Sequence, residues 1–302
     1  MALPCVAIIG AGTLGTVLAR ELVRCGYPLA AIASRSRASA ERLARAVQPH
    51  PQVCATSQQA ADLADLIFVT TPDDAIESVA ATVRWSSRHA VVHCSGALDT
   101  GVLDAARRAG GQAGGFHPMQ TFSAGQAGQD APLAGVTIGI EADGQMQETL
   151  AQLALAMGCP WVALRPQDKA LYHLSGTLVS NYLVTLADAS ITLLQRTGLS
   201  REQARAALLP LMEGTVRGIA ALGTPAALTG PIARGDAGTI ERHLAALRRH
   251  APELLPMYRA LGERTVPLAL AKRSLDSDAA AVIQRLLQAI PADAPQHVEA
   301  IA

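Results

Sequence analysis

Apolar residues fall along this chain in two rhythms. Through the first half, short unbroken apolar runs alternate with stretches in which apolar positions recur every three or four residues; beyond that only the second rhythm continues. Short continuous runs read as parallel strands buried on both faces, and the recurring pattern as amphipathic helices. Strands are predicted at 5–9, 29–33, 53–55, 65–70, 89–94, 136–140 and 161–164. Helices are predicted from residue 16 to 24 and over 39–47, 58–64 (capped by Ser57), 75–83, 102–109 and 145–157. Strict alternation of this kind predicts an α/β fold, a doubly wound and mostly parallel sheet, over residues 1–166. Residues 114–122 show no strong periodicity, and His117 with Pro118 reads as part of a glycine-rich turn. Residues 167–302 predict an all-helical second domain. Its first helix, 168–197, ends at Gly198, a natural C′ residue, and at 1.5 Å per residue it would run roughly 45 Å. Ser200 and Gln203 form a capping box for a helix to 222, Asp236 caps one to 249, and helices at 252–271 and 277–290 precede a Pro/Ala tail expected to be loose.

The first predicted strand feeds Gly10-Ala11-Gly12-Thr13-Leu14-Gly15 and then a helix. In a strand, turn and helix setting, Gly-x-Gly-x-x-Gly is the fingerprint of a dinucleotide-binding Rossmann unit: Gly10 for the tight turn, Gly12 for close approach of a pyrophosphate, Gly15 for packing of helix on strand. The backbone N–H groups of Thr13 and Leu14 open the helix at the positive end of its dipole, where an anion is stabilised. A dinucleotide with a free ribose 2′-hydroxyl calls for Asp or Glu near the end of the second strand. This chain has Ser34-Arg35-Ser36 there, hydroxyls and a guanidinium that suit a 2′-phosphate, so NADP is expected over NAD. The alternative is a solvated Ser/Arg loop. Thr71, Pro72 and Ser95, in turns that leave later strands at their carboxyl ends, are expected beside the same ligand.

Composition narrows the possible partners. Twenty-five basic residues balance twenty-five acidic ones, so charge argues for neither nucleic acid nor an anionic membrane. Cys5, Cys25, Cys54, Cys94 and Cys159 are odd in number and widely spaced, which favours free thiols over disulfides, and no spacing suggests a metal site. No run of 18 apolar residues and no basic leader is seen, and a cytoplasmic protein is expected. The one very long apolar helix argues for a covering subunit, hence a homodimer. Lysine is rare, Lys169 and Lys272 being the two in the chain.

Lys169, His173, Gly176 and Ser180 follow helical spacings of four, three and four, one stripe of the long helix, with Asn181 about a third of a turn away. Hydride transfer to a carbonyl or imine leaves an atom that needs a proton, and Lys169 or His173 is the candidate donor. The alternatives are a surface lysine and a histidine packed on a loop. His117 and Arg234 are candidate substrate ligands, the guanidinium as a clamp for a carboxylate; a loop-holding histidine and a salt bridge to Asp236 are the alternatives. His93, inside a strand, reads as a core residue.

Several stretches together carry a resemblance: Gly10 to Gly15, Thr71-Pro72-Asp73, His93-Cys94-Ser95-Gly96, Phe116 to Phe122, Tyr172-His173 with Ser180-Asn181, and Leu228 to Asp236. The chain resembles proteins with a Rossmann-like domain followed by the domain of unknown function 2520, in the 6-phosphogluconate-dehydrogenase-like superfamily. The resemblance implies an NADP-linked oxidoreductase, dimeric through its helical domain, related to ketopantoate reductase, pyrroline-5-carboxylate reductase and prephenate dehydrogenase. The His117-Pro118-Met119 segment is similar to one in prephenate dehydrogenases. Lys169 falls where several hydroxyacid dehydrogenases and ketopantoate reductases carry a catalytic lysine, although those enzymes have Asn where this chain has His173. The expectation is therefore an NADPH-dependent reductase of a small 2-oxo acid, with Lys169, His173 and Asn181 catalytic and His117, Ser180 and Arg234 binding substrate. A cyclic-imine reductase and an NADP(H)-binding sensor without turnover are the rivals.

Overall fold

The computed structural model describes residues 3–122 and 133–289, so the expected loose tail lies outside the described residues. The chain forms two compact units, Met1–Asn181 and Tyr182–Ala302. The first is built on an eight-stranded sheet of β1 (Val6–Ile9), β2 (Leu29–Ala33), β3 (Gln52–Cys54), β4 (Leu66–Val69), β5 (Ala90–His93), β6 (Gln112–Pro118), β7 (Ile138–Glu141) and β8 (Trp161–Ala163). Their order is β3-β2-β1-β4-β5-β6-β7-β8, with every pair parallel except β6 with β7. Six helices connect them: α1 (Thr13–Arg24), α2 (Arg37–Arg45), α3 (Ser57–Ala61), α4 (Asp73–Thr82), α5 (Asp104–Arg108) and α6 (Gly144–Ala156).

The apolar runs explain why helices cover both faces. Val6 and Ile8 of β1 point into one core with Phe68, Phe116 and Leu150, while Ala7 and Ile9 point into another with Ile67, Val91 and Ile76. A strand whose alternate residues are all apolar must bury both sides, which a doubly wound arrangement does. The carboxyl ends of β1, β4 and β5 then meet along one edge, where the first reversal of strand order opens a crevice.

The structure departs from the sequence pattern in four places. Residues 112–118 are a strand, so His117 lies on β6 and not in a turn; Gly114 and Gly115 had removed the side chains by which a strand is recognised. The cap of α3 is Thr56, whose hydroxyl accepts from Gln59 N, in place of Ser57. The expected continuous helix is two, α7 (Lys169–Val179) and α8 (Asn181–Gln195), joined at Ser180, where the backbone turns to φ −111° and ψ −72°. Ser and Asn compete with the helix for local hydrogen bonds, and Ser180 Oγ here donates to Asn181 Oδ1 at 3.4 Å. Finally, the units divide between Asn181 and Tyr182 where the pattern suggested 166/167, because α7 is tied to the sheet by its buried Lys169 and by Tyr172.

The second unit holds α9 (Arg201–Leu222), α10 (Ala237–His250), α11 (Leu255–Ala271) and α12 (Ser277–Gln288). The capping box of Ser200 with Gln203 and the Asp236 cap form as the sequence predicts. Its core joins α10, α11 and α12 through Ile240, Leu244, Val266, Ile283 and Leu287. By contrast α8 and α9 bury only Ile191 and Ala204, and leave Val184, Leu211 and Leu222 about two-thirds exposed in the single chain. Among the described residues one segment, Pro166–Gln195, is long and apolar enough to cross a membrane by length and composition, and 11% of its most apolar window is buried.

Candidate active site

At the crevice the glycine turn works by space as well as by conformation. Gly10 has φ +119°, and a Cβ there would lie 2.7 Å from the Thr70 carbonyl carbon. A Cβ on Gly15 would come within 2.1 Å of Gly10 O, so α1 packs against the turn only because that residue lacks a side chain. Around Gly12, in contrast, no atom of the described residues lies within 4 Å of a Cβ position. Gly12 is the N-cap of α1 and offers no side-chain cap, so the first-turn N–H groups, Thr13 and Leu14 among them, stay available to an anion.

A cavity of about 570 Å³ opens over this turn. Gly10 and Gly12 line one part, Ser34, Arg35, Ser36 and Ser39 another, and Thr71 with Pro72 a third. Thr71 Oγ1 is shielded from solvent and has no hydrogen-bond partner among the described residues. An orphaned hydroxyl, an open glycine and an uncapped helix start on one cavity are what an extended, phosphate-bearing ligand requires, so these residues fit a dinucleotide.

A second group of polar side chains gathers where β5, β6 and α7 meet. Ser95 follows β5, and its Oγ donates to Asp73 Oδ2 at 2.7 Å while accepting the N–H groups of Ala97 and Leu98 at 3.2 and 3.0 Å. That hydroxyl ties the turn Ser95-Gly96-Ala97 together. Two imidazoles rest on the turn: a Cβ on Gly96 would lie 2.7 Å from His117 Nε2 and 2.9 Å from His173 Cδ2. The two rings stand 6.4 Å apart, edge to face. Tyr172 Oη donates to the carbonyl of His117 at 3.3 Å and lies 3.2 Å from His117 Nδ1. The phenol has one proton for these two contacts; given to the carbonyl, it leaves Nδ1 to donate in the second contact and Nε2 to keep its lone pair, and that is the tautomer we assign.

Burial governs the charge of these groups. It pushes His117 down to about 4, helped by the Lys169 ammonium and by His173, with Asp73 opposing, so the ring is neutral at pH 7. His93, 0% exposed, is held at about 3 by burial and then by Lys169; its Nδ1 accepts from Ser95 N, and its Nε2 meets no partner among the described residues. Burial likewise raises the Tyr172 phenol to about 12. Lys169 itself is 2% exposed, 3.2 Å from Glu141 Oε2 and 3.1 Å from the Ser95 carbonyl.

Residues 5–96, which include the glycine turn, match the family model of coenzyme-F420-dependent NADP oxidoreductases, and residues 136–265 match that of the domain of unknown function 2520. The chain is an NADP-linked oxidoreductase with a DUF2520 domain. Among curated proteins none matches. A protein of Bacteroides fragilis assigned as an NADP oxidoreductase is 24% identical with TM-score 0.70, over 88% of this chain and 98% of that one. A reductive aminase from Aspergillus terreus, solved with NADPH4, cyclohexanone and allyl amine, is 18% identical with TM-score 0.63, over 93% and 99%. An imine reductase variant from Myxococcus stipitatus, solved with NAD+, is 18% identical with TM-score 0.58, over 95% and 100%. At such identities these structures share the fold.

In this DUF2520 chain the structure separates the sequence candidates into groups. Gly10 and Gly12 line the cavity with Ser34 to Ser36, Thr71 and Pro72; Thr13, Leu14 and Gly15 lie beyond its lining in the first turn of α1, and Ser95 lies outside it with its hydroxyl used internally. His117, Lys169 and His173 converge on the Ser95-Gly96 turn. Ser180 and Asn181 mark the junction of α7 with α8, and Arg234 belongs to the second unit, in the turn before α10. Among the described residues no cluster of His, Cys, Asp and Glu side chains could hold a metal ion. Sequence reasoning missed Glu141, Asp73 and the part played by Tyr172. A carboxylate ending the apolar run 136–140 was the available signal for the first.

Proposed function

We propose that this chain uses NADPH to reduce the C=N bond of a small cyclic imine. The observation that carries this reading is His117 Nε2 presented beside Gly96: in the assigned tautomer, with Nδ1 donating to Tyr172, that atom is an acceptor. An iminium N–H needs an acceptor and brings its own proton, whereas a ketone oxygen needs a donor. The nearby ammonium of Lys169 is shut away in an ion pair. Solved imine reductases with the same fold support the choice without deciding it.

The dinucleotide, when bound, supplies the hydride. Gly12, Thr13 and Leu14 would hold its pyrophosphate, Ser34, Arg35 and Ser36 its 2′-phosphate, and Thr71 Oγ1 would gain the partner it lacks. His117 Nε2 would orient the iminium nitrogen, and His173, exposed on α7, would exchange protons between the product amine and water. Reduction of a 2-oxo acid is the second reading; it needs Lys169 to leave Glu141 and donate.

NADPH oxidation followed at 340 nm against 1-pyrroline-type imines and matched 2-oxo acids tests the choice. The expected result is turnover of imines at least about 10-fold faster in kcat/KM. Activity should hold above about pH 4 and fail below it, where His117 takes up a proton and loses its lone pair. Faster turnover of 2-oxo acids would reverse the assignment. Tight NADPH binding with no turnover of either class would point to a sensor.

A further inference from the structure

Behind the two imidazoles lies a buried ion pair whose acidic half no motif singled out. Glu141 closes β7 and Lys169 opens α7; they are 3% and 2% exposed, with Oε2 and Nζ 3.2 Å apart. Every remaining bond of the pair leads to backbone or to a fixed side chain. Glu141 Oε1 accepts from the N–H and the hydroxyl of Thr100 at 2.8 and 2.9 Å, and Arg107 holds Thr100 from the other side. Lys169 Nζ donates to the carbonyl of Ser95 at 3.1 Å.

The glycines of β6 make room for this. A Cβ on Gly115 would sit 3.3 Å from Glu141 Cβ and 3.4 Å from both Lys169 Nζ and His93 Nε2. The charged and titratable groups facing the lysine are Glu141 from β7, His93 at the end of β5 with Cys94 just after it, and His117 from β6, while Arg107 of α5 acts on His93 and Thr100. Of these Glu141 is the anion. A lysine so enclosed reaches the Ser95 backbone and is 2% exposed.

We infer that Glu141 is the positioning residue of this site: it anchors the Lys169 ammonium beneath the Ser95-Gly96 turn, so that the lysine fixes the floor under His117 and His173 and hands no proton to substrate. The role rests on taking that turn as the reaction site. Removing one partner of a buried pair strands a charge, whereas replacing both removes the problem, and a double-mutant cycle reads that difference.

The test compares wild type, Glu141→Gln, Lys169→Met and the double variant. Each single change is expected to lower Tm by about 10 °C and kcat with a cyclic imine by about 30-fold or more, with NADPH affinity within about 3-fold. The double variant should regain at least half of the lost Tm and return kcat to within about 10-fold of wild type. If Lys169 were the proton donor, the double variant would stay as inactive as Lys169→Met, and the inference would be overturned. A double variant no more stable than the worse single would overturn it too.

Reductive methylation with labelled formaldehyde adds a readout that needs no turnover. With only two lysines in the chain, wild type should label at Lys272 and Glu141→Gln at both; labelling of Lys169 in wild type contradicts the anchoring. Should wild type reduce no imine, the reductase reading fails on its own, and Tm with methylation still decides the role of Glu141.

Discussion

Arg35→Asp is expected to weaken NADPH binding by about 100-fold or more while leaving NADH within a few-fold. Arg35 lines the cavity just beyond β2, between Ser34 and the Ser36 hydroxyl that caps α2. Its basic neighbours are engaged: Arg37 pairs with Glu41 at 2.9 Å, and Arg42 donates to Ser39 Oγ at 2.8 Å. A guanidinium bonding a phosphate contributes about 1.5–3 kcal/mol, and a carboxylate in its place adds repulsion. About 3 kcal/mol is a little over 100-fold in Kd. Fluorescence titration with each coenzyme checks it. NADH carries no 2′-phosphate, so an equal loss for both would mean that Arg35 supports the loop and reads no phosphate.

The second large effect is expected at Gly96. Gly96→Ala places a methyl 2.7 Å from His117 Nε2 and 2.9 Å from His173 Cδ2. His173 is exposed and can swing away, but His117 is held by Tyr172 and must break that bond to move. Overpacking of this kind costs about 1–3 kcal/mol, and here the displaced ring is the one that would orient substrate. The expected outcome is a fall of about 10- to 100-fold in kcat/KM with NADPH affinity within about 3-fold. Unchanged steady-state kinetics would place the substrate elsewhere, since the methyl cannot be accommodated without moving the ring.

Much of the first unit was legible because its strands are apolar on both faces and its turns carry obligatory glycines. The run Leu29 to Ala33 forms a strand with the expected bounds, and Gly10 and Gly15 of the first turn act by the mechanisms their spacing implied. Capping chemistry was equally readable at Ser200 and Asp236, where the signal is local. What escaped depends on contacts distant in sequence. β6 hides behind Gly114 and Gly115, which are small because Leu150, Glu141 and Lys169 fill the space. Helical spacing correctly put Lys169 and His173 on one face, yet it could not show that Glu141, 28 positions earlier in the chain, would claim the ammonium. Nor does the one-dimensional pattern reveal that Tyr172, on a different element, meets Nδ1 of His117.

A crystal structure of the NADP+ complex would test the central claim most directly. The account predicts pyrophosphate on the Gly10 to Gly15 turn, the 2′-phosphate on Ser34, Arg35 and Ser36, and the nicotinamide ring directed at Gly96, His117 and His173. A coenzyme whose ring lies away from that turn, or whose 2′-phosphate meets neither Arg35 nor the flanking serines, would contradict it.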